Sequence, residues 1–211
     1  MITDDIKADI EKATVVLPNK GGQGVLIPGH FILTAAHCID FKWEGEPLSI
    51  LDCLLENVRT IKGQSFRVSL LAIDSLHDIA ILGPATHDDL WQEATEFINF
   101  CEKIKPVPIC QKELEAGMFF PVHVYTHKGT WTTGRAVESG ENPRFLLVGF
   151  DEQLEGGTSG GPVINESGEL VGIVSTASIG QSSCNGQVPR PHLILSVWVC
   201  REIFGPAEKE E

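Results

Sequence analysis

Short apolar runs alternate with Gly, Pro and Asn along most of this chain. TVVLPN, GVLIPG, FILTAA, SILDCLL, FRVSLLAI and DIAILGP follow one another in the first half. FFPVHVYT, GTWTTGRAVE, RFLLVGF, GPVIN, ELVGIVST and HLILSVWV follow in the second. Runs of this length, punctuated this often, predict an all-β sandwich or barrel rather than βαβ units. Glu166-Ser167-Gly168 lies between two runs and predicts a hairpin turn. Two segments break the rhythm. Residues 4–14 place Ile6, Ile10 and Ala13 at helical spacing among acids, which predicts a short amphipathic helix packed on the body. Residues 88–105 place Leu90, Ala94, Phe97, Ile98 and Cys101 on one stripe, which predicts a second helix laid over the β-domain. The final GPAEKEE is polar and reads as a frayed tail or the start of a linker. No internal repeat is visible.

With 211 residues and 42% apolar composition, the chain can bury the core of one large all-β domain, and wholesale disorder is excluded. Lys+Arg 16 against Asp+Glu 29 gives a formal charge of −13. Such a surface repels phosphate backbones and anionic lipid, so neither nucleic acid nor a membrane is an expected partner. No apolar run approaches the roughly 20 residues that span a bilayer. The opening MITDDIKADIEKATVVLP lacks a basic start followed by an apolar stretch, so no secretory signal is expected. Cysteines stand at 38, 53, 101, 110, 184 and 200 without a C-x-x-C pair, which gives a zinc site no support. The even number permits three disulfides in a secreted protein. The lack of a signal favours reduced, mostly buried thiols in the cytoplasm. His123 and His127, in HVYTH, would share a strand face, but no third ligand is evident. They are read as structural or exposed, and neither metal nor cofactor is expected.

Three motifs carry candidate chemistry. Thr34-Ala35-Ala36-His37-Cys38 closes an apolar strand with a histidine; alone, that is more often a satisfied structural residue. His77-Asp78-Ile79-Ala80-Ile81-Leu82 puts an aspartate at the mouth of a buried strand, where alone it would be a turn cap. Gly156-Gly157-Thr158-Ser159-Gly160-Gly161-Pro162-Val163 rings a serine with glycines and runs directly into core strands, which a merely flexible turn has no reason to do. Together they supply a base, an orienting carboxylate and a hydroxyl. A serine needs a neighbouring base to take its proton, and a buried aspartate fixes the histidine tautomer. The chain order His, Asp, Ser is one of the known orders of this constellation.

TAAHC, HDIAIL, GGTSGGPV and GIVST, in that order, resemble the motifs of the chymotrypsin-fold, trypsin-like serine proteases. They look most like the compact bacterial intracellular and HtrA-type branch. The resemblance spans about residues 14–200. It implies two six-stranded antiparallel β-barrels in one protease domain over 1–211. The N-terminal barrel would cover about 14–85, a linking helix about 88–105 and the C-terminal barrel about 106–204. It implies a serine endopeptidase with His37 as base, Asp78 as its orienter and Ser159 as nucleophile. The backbone N–H groups of Gly157 and Ser159 would form the oxyanion hole. Ser175 matches a serine that supports the aspartate and lines the cleft; a plain strand role is equally open.

The resemblance also carries differences. Secreted relatives usually have an aspartate before the nucleophile, paired with a newly cut amino terminus. Thr158 cannot make that pair, so activation by N-terminal cleavage is not expected. The usual partner of Cys38 falls at about Gly22, and that of Cys184 at Glu155, so two extracellular disulfides are missing. The base of the specificity pocket falls at Gln153, with Thr176 and Ala177 on one wall; His192 falls on the other wall or stands exposed on its strand. That set implies cleavage after a residue other than Arg or Lys, whereas a register shift of one, with Asp151, Glu152 and Glu155 close by, would restore an acidic pocket. The expected partners are a protein or peptide substrate and a regulatory domain or protein, as in the protease domain of a larger bacterial protein. A catalytically silent module that binds peptides or regulates a partner is the alternative.

Overall fold

A computed structural model describes residues 2–39, 55–74, 78–85, 88–111, 119–138, 144–152, 154–176 and 192–195. The chain opens with α1 (Asp4–Ala13), whose N-cap Thr3 accepts a hydrogen bond from the Ile6 N–H, and whose Ile10 and Ala13 are buried. Six strands follow: β1 (Thr14–Val16), β2 (Gln23–Ile27), β3 (Phe31–Thr34), β4 (Leu55–Thr60), β5 (Ser65–Asp74) and β6 (Ile79–Gly83). A 3-10 turn at Asp88–Leu90 leads into α2 (Trp91–Cys101). Six more strands complete the described chain: β7 (Phe119–Tyr125), β8 (Trp131–Glu138), β9 (Arg144–Val148), β10 (Pro162–Ile164), β11 (Leu170–Thr176) and β12 (His192–Leu195).

The strands close into two antiparallel barrels of six, as the resemblance implied. The first runs β1-β2-β3-β6-β5-β4 and closes through β1 on β4. The second runs β7-β8-β9-β12-β11-β10 and closes through β10 on β7. Both use the same circular order, three strands forward and three back. Closure removes the exposed edges that an open sheet would present.

Val15, Val25, Ile27, Leu33, Val68 and Leu82 fill the first barrel. Val122, Val124, Leu147, Val163, Val171 and Val174 fill the second. The first core does not stop at its own barrel, because Ile164, Leu170 and Ile173 of the second belong to it. An apolar seam therefore fixes the two barrels against each other. α2 covers the first barrel through Phe97, which is fully buried against Phe66. α1 reaches both barrels, since Ala13 joins the first core while Glu11 Oε1 accepts a 2.8 Å hydrogen bond from Trp131 Nε1. Cys38, Cys101 and Cys110 are buried, and burial pushes the Cys101 thiol up to about 12. Cys53, Cys184 and Cys200 lie outside the described residues.

Candidate active site

β3 ends at Thr34, and the chain then makes a single 3-10 turn, Ala36–Cys38, which turns the His37 side chain to the surface. β6 pairs with β3 so that Thr34 faces Ala80, which brings Asp78, two residues earlier, beside that turn. The Ala36 N–H donates to the Asp78 carbonyl at 3.1 Å, and the His37 N–H donates to Asp78 Oδ1 at 2.9 Å. His37 Nδ1 lies 2.9 Å from Oδ1 and 2.8 Å from Oδ2. From the second barrel, the buried Ser175 donates its hydroxyl to Asp78 Oδ2 at 2.6 Å. Asp78 itself has φ 59°, in a left-handed region that non-glycine residues occupy at some cost. These hydrogen bonds hold it there.

The electrostatics follow from the geometry. The Asp78 hydrogen bond raises the pKa of His37 above its usual 6.5. Burial opposes the charge on Asp78, yet hydrogen bonds from His37 and Ser175 hold its carboxyl below the usual range. Nδ1 is thereby engaged with a carboxylate, which leaves Nε2 as the ring nitrogen available to a reacting group.

The serine loop is built by close backbone approach. Gly160 has φ 77°, and a β-carbon on it would sit 2.0 Å from the Gln23 carbonyl oxygen and 2.4 Å from Thr34 Oγ1. Only glycine lets this loop of the second barrel touch β2 and β3 of the first. The Gly160 N–H donates to the Val174 carbonyl at 2.6 Å, and the Gln23 N–H donates to the Ser159 carbonyl at 2.7 Å. The Ser159 carbonyl oxygen and Cys38 Sγ border the same point beside Gly22, which sets Ser159 next to the His37 turn. His37, Asp78 and Ser175 thus form one hydrogen-bonded row. Ser159 adjoins it through its backbone, and its hydroxyl makes no hydrogen bond among the described residues.

Before the serine, the Thr158 N–H donates to the Glu155 carbonyl at 3.2 Å, which closes a four-residue turn. Gly157 occupies its third position at φ 96°, the value of a type II turn, which demands glycine there. The amide N–H groups of Gly157 and Ser159 donate to no acceptor among the described residues. Thr158 is fully buried, and its Oγ1 lies 3.0 Å from His127 Nδ1 and 3.4 Å from the His127 backbone N–H. The neighbouring Lys128 Nζ meets Glu155 Oε1 at 2.6 Å.

The pairing of His127 with Thr158 is the part the sequence reading missed. His123 is indeed structural, buried on β7 with Nδ1 2.9 Å from Thr133 Oγ1. His127 is not its strand-face partner but sits in the β7–β8 hairpin turn. A buried threonine hydroxyl before the serine needs a partner, and that was the available signal. Of the expected specificity residues, Gln153 and Ala177 lie outside the described residues. Thr176 and His192 are placed as backbone positions on β11 and β12. Gly22, the site of the absent disulfide partner, does abut Cys38: a β-carbon there would lie 2.5 Å from Cys38 Sγ.

Among the described residues, no group of three His, Cys, Asp or Glu side chains is arranged to hold a metal ion. No helix there is long and apolar enough to cross a membrane. No curated protein matches the chain. Among solved structures, Rv3671c from M. tuberculosis H37Rv, a serine-to-alanine mutant in an inactive form, superposes with a TM-score of 0.60 at 18% identity, over 100% of this chain and 94% of that one. A second structure, of the Rv3671c protease in an inactive form, gives 0.56 at 19% identity, over 95% and 90%. The trypsin-like peptidase domain family matches residues 22–173. With the fold of a chymotrypsin-like serine protease and that match over most of its length, the chain belongs to the trypsin-like peptidase family.

Proposed function

We propose that this protein is a serine endopeptidase that hydrolyses peptide bonds through an acyl-enzyme. Ser159 Oγ attacks the substrate carbonyl carbon while His37 Nε2 takes the hydroxyl proton. The negative oxygen that forms is met by the N–H groups of Gly157 and Ser159, fixed donors worth on the order of 3 kcal/mol each in such sites. His37 then returns the proton to the departing amine as the C–N bond breaks. A water molecule repeats the sequence to free the acid and restore Ser159.

One observation carries this reading: the His37–Asp78–Ser175 row crosses the seam between barrels, and the Ser159 carbonyl is bonded to Gln23 beside it. The Ser159–His37 hydrogen bond belongs to the substrate complex, since such contacts are commonly long before substrate closes the site. The substrate is a protein or peptide. Activation does not proceed through an ion pair at Thr158, whose hydroxyl is already engaged inside the fold.

A fluorophosphonate probe tests the assignment. It is expected to label the wild type at one site per chain and to leave Ser159→Ala unlabelled. Equal labelling of the two proteins, or none of the wild type, would overturn it and leave a silent peptide-binding module.

A further inference from the structure

We propose that His127 is a positioning residue that holds the oxyanion turn in its donating form through Thr158. It rests on the serine-protease reading above and deepens it.

The β7–β8 hairpin tip is a tightly bonded loop. The Thr126 N–H donates to the Thr130 carbonyl at 2.9 Å, the Gly129 N–H donates to the Thr126 carbonyl at 3.0 Å, and the two threonine hydroxyls lie 2.8 Å apart. Its two outermost residues engage the two ends of the 155–158 turn. Lys128 takes Glu155 at the start, and His127 takes Thr158 at the end. The first contact is a solvent-exposed ion pair, weak and easily screened. The second is different, because Thr158 is fully buried and its hydroxyl has to be satisfied inside the protein. Oγ1 accepts from the His127 N–H, and it shares a second hydrogen bond with Nδ1 in which the imidazole tautomer decides the donor. The His127 side chain also lies beside the turn and occupies the space next to Gly157. Its Cγ, Cδ2 and Cβ atoms lie 3.2, 3.3 and 3.5 Å from where a β-carbon of Gly157 would stand.

The peptide between Gly156 and Gly157 carries one of the two N–H groups assigned to the oxyanion. Its direction depends on the turn type. At φ 96° on Gly157 the turn is type II; a flip to type I brings φ negative and turns that N–H to the opposite side. Glycine permits either form, so the choice comes from outside the turn. The anchored Thr158 hydroxyl and the ring against Gly157 make it. His127 thus affects the rate without touching substrate.

The second-order rate of fluorophosphonate labelling reads this, because the phosphonyl oxygen occupies the oxyanion position. His127→Leu fills the space without a side-chain hydrogen-bonding group and is expected to slow labelling about 10- to 100-fold, below the full loss of one donor. His127→Asn returns a polar group that can donate or accept near the Nδ1 position and is expected to recover most of that rate. Thr158→Val should slow labelling as His127→Leu does, with Thr158→Ser recovering most of it. The double variant His127→Leu/Thr158→Val should be no slower than either single one. A change in packing alone would not separate Leu from Asn, nor give that non-additivity. Labelling of His127→Leu at the wild-type rate, or additive losses in the double variant, would sink the proposal. If His127→Leu does not fold, the Thr158→Val and Thr158→Ser pair decides by the same threshold. Should wild type and Ser159→Ala behave alike, the serine-protease reading fails instead.

Discussion

Asp78 shows how much a single residue is asked to do. Its backbone is held in a left-handed conformation, its carbonyl receives Ala36, and its carboxylate receives both His37 and Ser175. One consequence is a pH dependence of definite sign. In the proposed mechanism a protonated His37 cannot accept the Ser159 proton, so activity is expected to rise as pH increases through the His37 pKa. Because the Asp78 bond raises that pKa, the acid limb of kcat/KM is expected above pH 6.5. Asp78→Asn removes the carboxylate, so the limb should move down toward 6.5 while the rate falls by about 10⁴ through loss of the correct tautomer. A pH–rate profile of both proteins, beside NMR titration of the His37 imidazole, checks the direction. A wild-type limb at or below 6.5 would contradict it.

The elements differ in how their positions bear on stability. In α2, Phe97 is fully buried in a cluster with Phe66 and Phe100, whereas Trp91 on the same helix is 77% exposed. Phe97→Ala is expected to cost about 3–5 kcal/mol, and Trp91→Ala to stay within about 0.5 kcal/mol. Urea denaturation of the two variants measures the contrast; equal losses would mean that the helix is not anchored by that face. The apolar stripe that makes this prediction was legible in the sequence, as were α1 and the turn at Gly168. β4 was not. The run at 49–55 lies outside the described residues up to 54, and the described strand, Leu55–Thr60, continues past its end. Its inward positions after Leu55 are Glu56, Val58 and Thr60, and a buried glutamate satisfied by Asn19 at 2.6 Å looks like surface in a sequence. The three motifs of the site were readable because each joins an unusual residue to an apolar strand. His127 was not, because its partner is a single hydroxyl 31 positions away in the chain.

At the scale of the molecule, two barrels with one circular strand order carry no visible repeat in their residues. Order of pairing, not identity of side chains, makes them alike; any well-packed apolar set fills such a ring. Their shared core at Ile164, Leu170 and Ile173 keeps one barrel from drifting against the other. The bond from the Gln23 amide to the Ser159 carbonyl, 2.7 Å long, joins the two at the proposed nucleophile. That single amide is a built-in gauge of how tightly the halves are latched. Its deuterium uptake, followed residue by residue, should be slow in the resting protein and slower still after phosphonylation of Ser159. Loosening the seam with Ile173→Ala should quicken it well before the chain unfolds. Uptake at Gln23 that matched an open loop would mean that the halves part freely and that the reactive row is assembled only on demand.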